Sequence, residues 1–344
     1  MATQALAIKY RPKTFDEVTE QGSVKVILQN QLETGEWKHA YLFCGGAGTG
    51  KTTCARIFAN ELNKGEGNPV ELDAASNNGV DDVREIIKQA KSKPLDAQYK
   101  IFIIDECHAI SNAGWQAFLK TIEEPPATSI FIFATTDPQK IPKTILSRVQ
   151  RYDFQKISTE GIVDRMYTIL DSEGYNDMDK VVPMESLNFI AKLAEGGMRD
   201  ALTMLDKCIA YSSGLDLKNV VAALGTVDYD MMFDFTEYLL TGDTHNAITL
   251  INILHLNGKD LKQFIKQYIQ FMLDLNKCDI GCDWAYITLP ELQEYKDKFK
   301  RLVGLAEHPR DLLDILSVFV KLDTSIKYSA TPKYDIEAQI ILNW

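Results

Sequence analysis

At 344 residues the chain is longer than one average domain, and its 45% apolar and 25% charged composition is that of an ordinary globular protein. No apolar run approaches the roughly 18 residues of a membrane span, and residues 1–6 lack a basic start followed by an apolar block, so a cytoplasmic protein without a signal peptide is expected. The net charge of −11 argues against a chain that coats DNA, but residues 1–155 hold 18 Lys+Arg against 19 Asp+Glu, so the deficit lies in the second half and local phosphate contacts stay open.

In chain order, Lys9-Tyr10-Arg11-Pro12 and Phe15 precede a helical run at 23–33. Strand-like runs follow at 41–44, 70–74, 101–104, 130–134 and 151–154, with helical stretches at 51–62, 80–91 and 112–122 between them. Alternating elements with strands apolar throughout predict a parallel sheet covered on both faces. After Phe154 the strand signal stops. Residues 162–170, 184–193 and 199–211 read as helices, with Gly174, Gly196-Gly197 and Gly214 at their ends. From about 216 the pattern stays helical, as at 231–240, 261–275 and 312–327. The expected layout is an α/β P-loop domain with a parallel five-stranded sheet over 1–155, a small helical lid over 156–215 and an all-helical domain over 216–344. The six cysteines are scattered and read as buried free thiols rather than disulfides or a metal site.

Gly45-Gly46-Ala47-Gly48-Thr49-Gly50-Lys51-Thr52 fits G-x-x-x-x-G-K-[ST] between a strand and a helix that continues through Thr53. Glycines let several backbone N–H groups converge on one anion, and the following helix adds its positive dipole end. Lys51 can reach the outer phosphates and the Thr52 hydroxyl can hold Mg²⁺, which predicts a nucleoside triphosphate site.

Ile101-Phe102-Ile103-Ile104 ends in Asp105-Glu106-Cys107-His108, carboxylates at the end of a buried strand. Asp105 is expected in the Mg²⁺ shell and Glu106 as the base that polarises water. Asp-Glu-x-His also occurs in two-lobed helicases, but the helical second half supplies no second α/β lobe. Thr135-Thr136 closes a third strand. Ser147-Arg148 precedes the last strand, and Gly197-Met198-Arg199-Asp200-Ala201 opens a helix.

Together these segments resemble the bacterial DNA polymerase III gamma/tau subunit family, ATPases of the clamp-loader branch of the AAA+ proteins. The resemblance also includes Tyr10-Arg11-Pro12-Lys13-Thr14-Phe15, Glu71-Leu72-Asp73-Ala74-Ala75-Ser76, Gly79-Val80-Asp81-Asp82-Val83-Arg84 and Leu119-Lys120-Thr121-Ile122-Glu123-Glu124-Pro125-Pro126. It covers about residues 6–210; the last third matches only in being helical. The resemblance implies that Lys51 and Thr52 bind phosphate and Mg²⁺, Asp105 binds Mg²⁺ and Glu106 activates water. It makes Thr136, with Thr135, a sensor beside the γ-phosphate and Arg199 a second sensor reaching from the lid. Tyr10, Arg11 and Pro12 would form part of the adenine pocket. Arg148 would be the arginine finger supplied to a neighbouring subunit, worth roughly 10³–10⁵ in rate.

Two departures stand out. The family's four-cysteine zinc module is replaced by Asn63-Lys64-Gly65-Glu66-Gly67-Asn68-Pro69-Val70, so no zinc is expected, and Val149 stands where Ser-Arg-Cys has cysteine. The chain ends at Trp344 without the long extension of tau forms; a compact variant, cellular or virus-encoded, would fit. The implied function is a clamp-loader motor. ATP binding would open a ring-shaped sliding clamp and grip primer–template DNA through backbone phosphates, and DNA-stimulated hydrolysis would release the clamp. Arg84, Lys88 and the helix start at Ser111 and Asn112 are the DNA candidates. The last third would form the collar of a pentamer with other loader subunits. The competing expectations are a loader subunit that binds nucleotide without hydrolysing it, another AAA+ DNA motor, and a plain P-loop kinase.

Overall fold

A computed structural model describes residues 4–94, 96–175, 183–212, 214–224, 229–290, 293–306, 308 and 310–344. Two helices, α1 (Leu6–Lys9) and α2 (Gly22–Thr34), precede the alternating region. There β1 (Ala40–Cys44), α3 (Lys51–Leu62), β2 (Val70–Asp73), α4 (Val80–Ala90), β3 (Lys100–Asp105), α5 (Asn112–Glu123), β4 (Ser129–Thr135), α6 (Lys143–Leu146) and β5 (Gln150–Asp153) follow one another. All strand pairs are parallel, in the order β2-β3-β4-β1-β5.

The register explains the residue choice. β1 and β4 are buried at every position, as expected for strands covered on both faces. Successive side chains alternate between two apolar layers. Tyr41, Phe43, Ile101, Ile103, Ile130 and Ile132 pack under α2 and α3, while Leu42, Phe102, Ile104, Phe131 and Phe133 pack under α4 and α5. Trp115 of α5 is 2% exposed, with its ring centroid 5.3 Å from that of Phe133. The expectation of strands apolar throughout fails at the edges. Glu71 and Asp73 of β2 and Gln150, Arg151 and Asp153 of β5 are half-buried or exposed, because each edge strand has a neighbour on one side only.

The helices that follow are α7 (Thr159–Ser172), α8 (Met184–Leu193), α9 (Met198–Tyr211), α10 (Leu217–Leu224), α11 (Tyr229–Leu240), α12 (Thr244–Leu256), α13 (Leu261–Asp279), α14 (Gln293–Leu305), α15 (Asp311–Ile326) and α16 (Pro332–Asn343). None among the described residues is long and apolar enough to cross a membrane. The chain divides into two compact units, Met1–Val181 with Ile190–Asp206 and Val182–Phe189 with Lys207–Trp344.

The second unit is built on α13, which packs against α14, α15 and α16. Its start is fixed by Asp260, which accepts from the Lys262 and Gln263 amides. Phe235, Tyr268 and Phe319 form an aromatic centre, the last two 4.8 Å apart edge to face. Asp274 is fully buried and accepts from Thr288 N at 2.9 Å and Lys277 Nζ at 3.2 Å. Of the six free cysteines, Cys44, Cys54, Cys107 and Cys208 are buried, whereas Cys278 is half-buried and Cys282 exposed. The reading of all six as buried thiols is corrected for that pair, which sits in the last turn of α13 and just beyond it rather than within a core.

Candidate nucleotide site

The phosphate loop leaves the buried end of β1 and turns into α3. Gly48 lies at φ +70°, and a Cβ there would stand 3.0 Å from Gly197 Cα, so conformation and space both require glycine. Gly50 at φ +101° leads α3, whose N-terminus no side chain caps. Uncapped amides at a helix start are a place for an anion. Thr49 closes the loop by donating to Gly46 O at 2.9 Å. Lys51 is 6% exposed, and its Nζ donates to Gly45 O at 2.8 Å and Gly46 O at 2.7 Å. Burial pushes its pKa below the ordinary lysine value, while Glu106 and Asp105 pull it back up.

The carboxyl edges of β1, β3 and β4 bring the next groups together. Thr52 Oγ1 donates to Asp105 Oδ2 at 2.7 Å, and Asp105 Oδ1 accepts from Glu106 N at 3.0 Å. Glu106 sits in the left-handed region at φ +46°, a sparsely populated conformation for a side-chain-bearing residue. Its Oε2 accepts from Thr136 Oγ1 at 3.0 Å and lies 3.2 Å from His108 Nδ1. Thr135 is fully buried and accepts from Asp137 N.

A cleft of about 320 Å³ opens over Lys51, Thr52, Asp105 and Glu106, whereas Thr135, Thr136 and His108 do not line it. Ala47 through Thr53, Asp105 and Glu106 form one side, Tyr10, Arg11 and Pro12 another, and Arg199 lines it from α9. The lining carries the cations Arg11, Lys51, Arg165 and Arg199 and the carboxylates Asp105, Glu106 and Asp200. Burial and, less strongly, the nearby Arg56 and Arg199 guanidiniums lower the Arg11 pKa. Tyr10 donates to Glu173 Oε1 at 2.6 Å, and that bond raises its pKa. Lys51, Thr52 and Asp105 meet the demands of a Mg²⁺-triphosphate: uncapped amides, one cation, and a hydroxyl already against a carboxylate.

Other expected residues lie apart from the cleft. Arg148 donates to Glu123 Oε1 at 2.7 Å, Thr144 O at 2.7 Å and Ser147 Oγ at 3.0 Å, and it does not line the cleft. Arg84 and Lys88 are exposed on α4, paired with Asp81 and Glu85 respectively. Ser111 caps α5 by accepting from Gly114 N, one residue before Asn112. Sequence reasoning missed Arg165, which lines the cleft and donates to Tyr10 O at 3.1 Å, and it gave His108 no role. It also missed Glu20 and Gln21, whose partners lie far along the chain.

Sheet order, phosphate loop, strand-end acids and the arginine-bearing helix define a P-loop domain of the AAA+ class. Residues 70–158 match the family described as DNA polymerase III, delta subunit, and residues 161–214 match the DNA polymerase III clamp loader subunit, ATPase lid domain. The chain is 33% identical over 294 residues to the DNA polymerase III subunit gamma of Buchnera aphidicola, covering 79% of this chain and 80% of that one. It is 35% identical to the DNA polymerase III subunit tau of Bacillus subtilis over 99% of this chain, yet spans only 63% of that relative's length. The chain belongs to the DNA polymerase III gamma/tau family. Among solved structures, the Thermotoga maritima RuvB Holliday junction branch migration motor aligns with a TM-score of 0.52 over 67% of this chain and 79% of that one; at 20% identity this speaks to the fold alone.

Proposed function

We propose that this chain is an ATP-hydrolysing motor subunit of a DNA sliding-clamp loader. The observation that carries the proposal is the meeting of Lys51, Thr52, Asp105, Glu106 and Thr136 at three neighbouring strand ends, with Arg148 apart from them and exposed. The loop amides and the start of α3 would take the phosphates, and Lys51 would exchange the Gly45 and Gly46 carbonyls for phosphate oxygens. Thr52 and Asp105 would hold Mg²⁺, which supplies charge neutralisation to those oxygens. Glu106 would take the proton of the attacking water, with Thr136 fixing its carboxylate. Arg199 would report the nucleotide from the lid, and Tyr10, Arg11 and Pro12 would hold the base.

Arg148 completes the site of a neighbouring subunit, which makes an isolated chain a poor ATPase. In a hetero- or homo-oligomer, in the form of a pentamer collared by residues 216–344, ATP binding opens a sliding clamp. Primer–template DNA, gripped through its backbone phosphates near Arg84, Lys88, Ser111 and Asn112, then stimulates hydrolysis and clamp release in the cytoplasm. The test is ATPase measured while partner subunits, clamp and primed DNA are added stepwise, with Lys51→Ala as the control that abolishes nucleotide binding. A rate indifferent to all three additions, or tight ATP binding by Lys51→Ala, overturns the proposal.

A further inference from the structure

The phosphate loop and the lid are joined by a closed circuit of hydrogen bonds. Met198 N, at the start of α9 and next to Arg199, donates to Gly48 O at 3.1 Å. Two residues before Met198, Gly196 O accepts from Ile157 N at 3.1 Å, which ties α9's approach to the segment linking β5 and α7. Gln21 closes the circuit from the other side. Its Nε2 donates to Gln155 O at 2.8 Å and, at a longer 3.4 Å, to Thr49 O; its Oε1 accepts from Gln155 N at 3.1 Å.

The side-chain amide therefore pairs with the Gln155 backbone as a neighbouring strand would. Two carbonyls and one N–H face it, so its orientation is set: reversed, an amide oxygen would meet two carbonyl oxygens. Gln21 is 6% exposed and Thr49 1%, so little water competes for these bonds. Glu20 extends the arrangement. Both its carboxylate oxygens lie 3.2 Å from Ser158 N, beside the Ser158 hydroxyl that caps α7. Both residues hold left-handed backbone, φ +55° and +52°, a conformation retained only where the surroundings enforce it.

We infer that Gln21 is a positioning residue that sets the lid's Arg199 relative to the phosphate loop, with Glu20 fastening the first lid helix beside it. The inference rests on the nucleotide reading of the cleft. Gln21 touches no expected substrate atom and acts through Thr49 and Gln155. A movement of the loop on taking up phosphate reaches α9 directly through Gly48 and, by way of Gln21, the hinge from which the lid departs.

The test is a double-mutant cycle in the full-length chain, with Gln21→Ala and Arg199→Ala alone and combined, titrated with a fluorescent ATP analogue. Loss of Gln21 should weaken binding roughly tenfold where Arg199 is present and change it less than about twofold where Arg199 is already alanine. Gln21→Glu keeps the volume and the acceptor for Gln155 N but sets a carboxylate oxygen against two carbonyls, and should repeat the pattern in a chain of intact core. An equal loss in both backgrounds assigns Gln21 to simple support of the loop and overturns the inference, as does no loss in either. Failure of the unsubstituted chain to bind the analogue overturns the nucleotide reading itself, an outcome distinct from additive losses in a chain that binds.

Discussion

In the sheet-bearing unit, polar side chains near the strand ends are held by directional bonds: Thr52 to Asp105, Thr136 to Glu106 and, from the start of α2, Gln21 to the Gln155 backbone. The all-helical unit keeps a largely aromatic centre and turns Leu256, Ile280, Tyr328 and Leu342 to solvent, each at least 75% exposed. Reactions need atoms held in a near-attack geometry, and directional bonds at the end of a rigid sheet are one way to supply it. Arg148 belongs to the first unit by position yet behaves unlike the rest of its site, exposed and held by Glu123.

The contrast is sharpened most by Arg148→Ala. Hydrolysis in the assembled complex should fall by roughly 10³-fold or more while the variant's own nucleotide affinity is unchanged. In mixed assemblies the defect should appear in the neighbouring site, and a defect confined to the variant's own site would return Arg148 to its own cleft. Next in size, Glu106→Gln should cut turnover by about 10²–10⁴-fold with ATP binding retained, read by single-turnover hydrolysis beside analogue titration. Normal turnover would remove Glu106 from the chemistry.

The smallest effect probes the helical unit. Burial pushes the Asp274 carboxyl above its ordinary value, outweighing Lys277 and the Thr288 and Leu289 amides. The native chain thus holds that proton more tightly than the unfolded one. The contribution to stability is full below the ordinary aspartate value and is lost as pH rises through the elevated one. Asp274→Asn, which cannot titrate, should remove the fall in stability above about pH 4 in urea unfolding. Parallel curves would show that Asp274 is not the source.

Much of this was legible in the residues. Ile101 to Glu106 announces a buried strand ending in acids because apolar runs and turns are local signals, and the glycine-rich loop is one too. The polar edges of β2 and β5 were not legible, since an edge is defined by what pairs beside it. Nor was Gln21: its partners stand 28 and 134 residues away, and nothing in Thr19-Glu20-Gln21-Gly22 foretells two left-handed residues. Arg165 stayed hidden for the same reason: it is a lone arginine on α7, and its partner Tyr10 stands 155 residues away in the sequence.

Lys51 carries a last consequence. Its ammonium is already held by the Gly45 and Gly46 carbonyls, and its four-carbon stem is buried. Freezing such a side chain ordinarily costs up to about 2 kcal/mol of rotamer entropy. Here that cost falls on folding, so under the proposed function recruiting the lysine to an incoming anion would exchange one set of oxygen acceptors for another. Calorimetry of association should therefore register a smaller entropic penalty than a solvent-exposed lysine would impose, and Lys51→Arg, too broad for the same carbonyl seat, should forfeit that advantage.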